Sequence, residues 1–254
     1  MINWPSSTDD KESCNQVEKV FPVPARVLVV AAHPDDLDFG CAGTVALWTK
    51  AGSQVSYVIC TSGDKGSDDP SMDRDLLART RQEEQMEAAR VIGVSDVHFL
   101  GFEDGSLEND VDLRRTLVRC IRRLRPDVIL CHDPGNRSFE NPYVSHRDHR
   151  AVSEAVFDAV YPASGNPHFF PELLAEGLAP HKVREIFFFG TQSPNFWQDI
   201  THVMDLKIKA ILSHRSQIAD PEQMEKFLRL RFEEAGKRVG VPYAEPFRRL
   251  TFPW

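Results

Sequence analysis

An uninterrupted apolar run near the start of the chain ends on the tetrapeptide His33-Pro34-Asp35-Asp36. The run is Val27-Leu28-Val29-Val30-Ala31-Ala32, and it is typical of a β-strand whose two faces are both covered by helices, as in a parallel sheet. Open sheets of this kind bind ligands at the carboxyl ends of their strands. The sequence therefore predicts that an imidazole and two carboxylates lie at the functional edge of an α/β domain.

Further along the chain, apolar runs alternate with amphipathic segments. Strands are predicted at 26–32, 55–61, 97–100, 127–131 and 185–190, and helices at 41–51, 73–92, 110–123, 147–160, 205–213 and 221–235. This βαβα order predicts a Rossmann-like, mostly parallel sheet with helices on both faces. Residues 1–24 are expected to form an N-terminal arm, and residues 25–254 a single domain whose part after about residue 162 forms a capping subregion.

Composition limits the classes of partner. The net charge is −8, and without basic blocks this argues against binding to nucleic acid or to an anionic membrane. No apolar stretch is long enough to span a bilayer, and the polar, acidic N-terminus does not resemble a signal peptide. An odd number of cysteines without a CxxC pair is typical of free thiols. We therefore expect a soluble, cytoplasmic protein.

A second polar cluster, His146-Arg147-Asp148-His149, opens the helix that is predicted from residue 147. The spacing of its two histidines places both on one helix face. One of them can bind a metal while the other faces a substrate, and Asp148 can orient an imidazole. Alternatively, these polar side chains only cap the start of the helix.

The first cluster has the same two interpretations. Asp36 and His33 can bind a metal ion while Asp35 is directed at the attacking water, or one of the two aspartates caps the next helix. Both clusters fall at strand-to-helix junctions on one edge of the predicted sheet, where sites gather. This coincidence favours a catalytic metal site with an open coordination position.

These two clusters and the residues around them resemble the LmbE-like metal hydrolases. That superfamily includes the GlcNAc-phosphatidylinositol de-N-acetylases and the mycothiol-pathway deacetylases and amidases. The resemblance extends from about Arg26 to at least Ile218. Its other parts are Gly43-Thr44, Arg81-x-x-Glu84, Ile92-Gly93-Val94, Asp104-Gly105, Leu124-Arg125-Pro126-Asp127, Lys209-Ala210 and His214-Arg215-Ser216-Gln217.

The resemblance implies a residue for each part of a hydrolytic site. It implies Zn²⁺, or another divalent transition metal, bound by His33, Asp36 and His149. It implies Asp35 as general base, and His146, supported by Asp148, as the electrophile or general acid. Arg81 and Asp104 match positions that contact the substrate sugar or its neighbour, although Arg81 alternatively is only solvated or salt-bridged.

The chain departs from the family pattern at two positions. Leu37 stands where many members have a glutamate. Val144 stands where some members have a tyrosine that stabilises the oxyanion, and Tyr143, one residue earlier, is a candidate for that role. Because loops above a rigid sheet carry specificity, the long loop at 133–145 is expected to shape substrate choice.

The favoured function is removal of an N-acyl group, most often acetyl, from an N-acetylated amino sugar or glycoconjugate. One alternative is an amidase that acts on a larger acyl-amide, such as a thiol conjugate or a natural-product intermediate. Another is a non-catalytic carbohydrate-binding protein. The expected partner is a small molecule, and a homo-oligomer is compatible with the sequence.

Three other pairs of residues have simpler interpretations. Lys207 and Lys209 are expected on the exposed face of a late helix. His168 and His181 are expected to be exposed in Pro-rich loops. His214 and Gln217 either support the site from outside or cap a helix.

Overall fold

A computed structural model describes residues 22–137, 139 and 141–254. Most of the predicted N-terminal arm thus lies outside the described residues. The strands are β1 (Arg26–Ala31), β2 (Gln54–Thr61), β3 (Asp96–Phe102), β4 (Val128–His132), β5 (Glu185–Phe189), β6 (Phe196–Asp199) and β7 (Ala244–Thr251). The helices are α1 (Asp36–Lys50), α2 (Arg74–Val91), α3 (Val111–Leu124), α4 (Arg147–Asp158), α5 (Glu172–Ala175), α6 (Met204–Ile211) and α7 (Pro221–Lys237).

The seven strands form one mostly parallel sheet in the order β3-β2-β1-β4-β5-β7-β6. The first five strands of this order pair in parallel; Val27, for example, lies opposite Val55 on β2 and Val128 on β4. β7 and β6 are antiparallel additions. The predicted α/β class is confirmed, but these two strands were not predicted, because charged residues interrupt the apolar pattern of β7.

Each face of the sheet carries its own apolar core. Side chains alternate along β1, since successive residues of a strand point to opposite faces. Val27, Val29 and Ala31 pack with residues of α1, α6 and α7, whereas Leu28 and Val30 pack with residues of α3 and α4. Helices therefore cover both faces, as predicted, and the carboxyl edge of the strands is left for chemistry.

The first helix begins earlier than predicted. It starts at Asp36 and not near residue 41, because the polar residues and the glycine of its first turn have low helix propensity and conceal the start. Leu37 is fully buried under this turn. As a result, Asp36 lies in the first helical turn, directly beside the end of β1.

One predicted surface residue is in the interior. Lys207 is fully buried, and its Nζ donates to Glu245 at 2.7 Å and to the backbone oxygen of Asp38 at 2.7 Å. The prediction that Lys207 is exposed is therefore wrong, whereas Lys209 is exposed. The periodicity of apolar residues along a helix assigns a lysine to the exposed face. It cannot indicate that this lysine is buried against Glu245, which is distant in the sequence.

The remaining general predictions concern cysteines, loop histidines and membrane spans. The described cysteines are free thiols, and Cys14 lies outside the described residues. His168 is exposed as expected, but His181 is half-buried against the backbone oxygen of Pro126. No helix among the described residues is long and apolar enough to cross a bilayer.

Candidate metal centre and active site

Two strands and two helices bring the polar clusters together. β1 ends just before His33, and α1 starts at Asp36. β4 ends on His132, and α4 begins one residue after His146. Because β1 and β4 are parallel neighbours, these junctions meet at the carboxyl edge of the sheet. Tertiary structure thus joins clusters that are more than a hundred residues apart in sequence.

Three side chains form a compact set of metal donors. The Nδ1 atom of His33 lies 3.3 Å from Asp36 Oδ2 and 3.3 Å from His149 Nε2. His149 Nε2 lies 3.0 Å from Asp36 Oδ1. Zinc bonds of about 2.0–2.1 Å at tetrahedral angles separate neighbouring donor atoms by about 3.4 Å. The three residues expected to bind a metal therefore lie at distances that fit one ion; we call them the donor triangle.

The orientation of the His33 ring agrees with this fit. Its Nε2 lies 3.1 Å from Asp104 Oδ1 and 3.2 Å from Asp148 Oδ2. Carboxylates only accept hydrogen bonds, so Nε2 carries the proton and the neutral ring has its lone pair on Nδ1. That lone pair faces the donor triangle. Carboxylates that orient a histidine ligand in this way are common around protein metal sites.

The two carboxylates next to His33 Nε2 make contacts other than the ones expected from the sequence. Asp148 was expected to support His146, but its side chain accepts from His33 and from the amides of Gly105 and Leu107. Asp104 was expected to contact the substrate, but it is buried and accepts from the Lys65 amide as well as facing His33. Both side chains therefore surround the far nitrogen of the His33 ring.

The electrostatics of the site favour a cation. Burial alone would lower the pKa of His33, but hydrogen bonds with Asp104, Asp148 and Asp36 raise it to about 12. Burial would raise the pKa of Asp36, but the neighbouring His149 and His132 hold it well below its usual range. Without a metal ion this raised pKa keeps a second proton on His33 Nδ1, and a cation held by the donor triangle would take the place of that proton.

His132 also belongs to this site, although neither polar motif in the sequence includes it. Its Nε2 lies 3.3 Å from Asp36 Oδ2, and its ring stacks on His149 with centroids 4.0 Å apart. Burial, followed by the charge of His149, lowers its pKa to about 4. Its position in the sequence could have indicated this role, because His132 ends the apolar run of β4 in the same way that His33 follows the apolar run of β1.

Asp35 lies at the N-terminal end of α1 in an unusual conformation. Its φ is 89° and its side chain makes no helix-capping hydrogen bond, so the simple capping interpretation does not apply. Burial, only partly offset by the Arg81 charge, raises the pKa of Asp35 to about 6. A carboxyl group with a pKa near neutrality is suited to general-base chemistry.

His146 lies beside two members of the donor triangle. Its ring centroid is 4.9 Å from that of His33 and 5.2 Å from that of His149. Its Nδ1 accepts from the Asp148 amide at 3.2 Å, so the proton of the neutral ring is on Nε2. Burial, with the charges of His33 and His149, lowers the pKa of His146. The ring therefore offers a neutral N–H donor.

Two residues expected to contact substrate are engaged elsewhere or point outward. Arg81 is buried, and its guanidinium donates to the backbone oxygens of Pro34 and Gly63 and to Asp35. Arg81 is therefore not merely solvated, but its ion pair with Asp35 at 3.2 Å agrees with the salt-bridged alternative. Tyr143 is 83% exposed, and its neighbour Val144 lines a groove beside α1.

Comparison with known proteins decides the family. The family model PIG-L, described as GlcNAc-PI de-N-acetylase, matches residues 28–160, which is slightly more than half of the chain. This chain belongs to the PIG-L family. The predicted resemblance to LmbE-like hydrolases is thereby confirmed, and both clusters of the site lie within the PIG-L match.

Several relatives of this PIG-L protein are named as deacetylases of N-acetylated sugars. A diacetylchitobiose deacetylase from Thermococcus kodakarensis is 34% identical over 235 residues, covering 92% of this chain and 86% of the relative. A probable N-acetyl-α-D-glucosaminyl L-malate deacetylase 2 from Bacillus anthracis is 30% identical over 200 residues, which cover 76% of this chain and 81% of the relative. Among solved structures, an N,N′-diacetylchitobiose deacetylase from Pyrococcus horikoshii superimposes with a TM-score of 0.83 and is 35% identical in sequence. The match covers 90% of this chain and 84% of that chain.

Proposed function

We propose that this protein is a metal-dependent hydrolase that removes the acetyl group from an N-acetylated amino sugar. The observation that carries the proposal is the donor triangle of His33, Asp36 and His149, with Asp35 and His146 beside it. Membership of the PIG-L family and the sugar deacetylases among its relatives support the same reaction.

The donor triangle would hold the ion. Zn²⁺ suits two imidazoles and one carboxylate, and other divalent transition metals accept the same ligands. When bound, such an ion polarises the amide carbonyl and acidifies water. Asp104 and Asp148 act behind it as positioning residues, because they orient the Nδ1 lone pair of His33 toward the ion.

Asp35 and His146 would handle the protons of the reaction. As water attacks the carbonyl carbon, the Asp35 carboxylate takes a proton from the water. The neutral ring of His146 donates its Nε2–H to the carbonyl oxygen and stabilises the negative charge that develops there, while the proton taken up by Asp35 passes to the leaving nitrogen. The C–N bond then breaks, and acetate and a free amine result. A preorganised donor of this kind commonly contributes about 3 kcal/mol in the transition state.

The groove beside α1 is the proposed place for the sugar. Its volume is about 170 Å³, and Gly40 and Val144 line it. Gly40 lies one helical turn after Asp36, and Phe189, which contacts the His132 ring, packs against Gly40. The groove therefore lies near the site, on the other side of Phe189 from His132, and Asn141 and Val144 of the 133–145 loop line its wall.

The decisive experiment combines metal analysis with amine release. We expect about one zinc ion per chain, in line with a single four-coordinate site, and amine release from N,N′-diacetylchitobiose. Release only from amides with larger acyl groups would favour the amidase alternative. Sugar affinity without bound metal would favour a non-catalytic carbohydrate-binding protein, and protein that fails to bind any divalent metal would refute the proposal.

Substitution of Asp35 tests the assignment of the base. Asp35→Asn preserves shape but cannot accept the proton, so kcat should fall roughly 10²- to 10⁴-fold, as for loss of a general base. The metal content should remain that of the wild type. Loss of metal together with activity would contradict this role, because it would make Asp35 a ligand.

A further inference from the structure

Two side chains of α2 hold a single peptide group, the one that joins Pro34 to Asp35. Arg81 Nη2 donates to the Pro34 oxygen at 2.7 Å. The Asp35 amide donates to Gln85 Oε1 at 2.8 Å. Because Arg81 and Gln85 are four residues apart, they lie one above the other on the same face of the helix. Both polar atoms of this peptide are thus bound by one helix.

The peptide group that these two side chains hold precedes a residue with an uncommon backbone conformation. Asp35 has φ 89° and ψ −34°, where side chains with a Cβ atom are rare. Conformations of this kind persist at functional sites only where the surroundings over-determine them. The two hydrogen bonds from α2 supply this constraint, and they direct the residue that we propose as the base.

The orientation of the Gln85 amide is itself determined by a buried chain of hydrogen bonds. Its Nε2 donates to Asp38 Oδ2 at 2.8 Å, and the same oxygen lies 2.8 Å from His214 Nε2. A carboxylate accepts and does not donate, so the nitrogen of Gln85 faces Asp38 and its oxygen faces the Asp35 amide. All three side chains are fully buried, so water does not compete. This contact also places His214 in the outer support of the site.

We propose that Gln85 is a positioning residue of the reaction. Anchored through its nitrogen to Asp38, it accepts the Asp35 amide hydrogen and keeps the Asp35 carboxylate directed at the substrate. The inference rests on the proposed function, in which Asp35 is the base. The described hydrogen bonds of Gln85 go to Asp35 and Asp38, so it acts through another residue and not by touching substrate.

The first test is Gln85→Met, which keeps length and burial but removes both hydrogen bonds. We expect hydrogen exchange at the Asp35 amide to accelerate, and kcat of the metal-loaded protein to fall about 10- to 100-fold, as for other supporting partners. KM and metal content should not change. Gln82→Met on the same helix is the matched control, because Gln82 is only partly buried. An Asp35 amide that stays protected, or an unchanged kcat, would overturn the proposal.

A charge-conserving exchange provides the rescue. Gln85→Glu alone places a second carboxylate against Asp38 and should lower kcat. In the double variant Asp38→Asn with Gln85→Glu, the new amide donates to the new carboxylate, whose other oxygen again accepts from Asp35. We expect this pair to recover most of the lost kcat. A folded double variant as inactive as Gln85→Glu would contradict the positioning role.

The exchange measurement separates this inference from the proposed function. It is made on the protein without substrate, so it reports the hydrogen bond to Gln85 even if no N-acetylated sugar is hydrolysed. Faster exchange without any deacetylase activity would refute the proposed reaction. Deacetylase activity with unaltered exchange and kcat in Gln85→Met would refute the role of Gln85.

Discussion

Asp148 lies against His33, with its Oδ2 atom 3.2 Å from the His33 Nε2. The same carboxylate is held by the backbone amides of Gly105 and Leu107. A buried acceptor that is itself fixed in place fixes the ring of the histidine it contacts. The Nδ1 atom of His33 is therefore directed toward Asp36 and His149 before any ion arrives.

Removal of the Asp148 carboxylate should weaken metal binding. We expect Asp148→Ala to reduce the affinity for zinc about 10- to 100-fold, as for other residues that orient a histidine ligand. Competition with a chelating dye measures this change. Asp112→Ala, at an exposed position of α3, is the control. An unchanged affinity in Asp148→Ala would mean that the ring of His33 is held by other contacts.

Substitutions of His149 and His132 should have unequal effects. His149→Ala removes a member of the donor triangle, so the protein should no longer retain metal through gel filtration. His132→Ala removes a ring that stacks on His149 and contacts Asp36, so metal should be retained with roughly tenfold lower affinity, within the range for supporting residues. If His132→Ala loses metal as completely as His149→Ala, then His132 is itself a ligand.

The interior ion pair between Lys207 and Glu245 should be important for stability. Lys207→Met leaves the buried carboxylate without its cation, which typically costs about 3–5 kcal/mol. Lys209→Met, the same change at an exposed position of the same helix, should alter stability little. Urea unfolding of both variants measures the difference. Equal stability of the two variants would show that Glu245 finds other partners.

The pairing of His214 with Asp38 should make stability depend on pH. Burial lowers the pKa of His214, but the hydrogen bond to Asp38 and the charge of Asp38 raise it by more than burial lowers it. The pKa of His214 therefore lies above the usual 6.5. A raised pKa in the folded state stabilises the protein fully below pH 6.5, and this contribution is lost as the pH rises through the folded pKa.

Urea unfolding over a pH series tests this linkage. The difference in free energy of unfolding between the wild type and His214→Gln should be largest at acidic pH and should shrink toward alkaline pH. His168→Gln, at an exposed position, should show no such trend. A difference that grows with pH would have the wrong sign for a raised pKa.

Much of the fold could be predicted because local periodicity reports it. Continuous apolar runs predicted β1, β2, β4 and β5 to within a residue or two, and amphipathic spacing predicted α2 and α3. β7 was missed because its residues Glu245, Arg248 and Arg249 interrupt any alternation. Their partners, among them Lys207, Asp133 and Glu185, are distant in sequence, and no local pattern indicates them.

The amino-acid sequence by itself determined the α/β class, the family and the two polar clusters at strand ends, since these depend on local order along the chain. Only the tertiary structure decided which atoms meet. It turned Asp148 toward His33, added His132 from β4, and used Arg81 and Gln85 to hold the peptide before Asp35. Such contacts depend on how neighbouring strands and helices pack in three dimensions, and a hydrogen bond between distant residues leaves no trace in either segment alone.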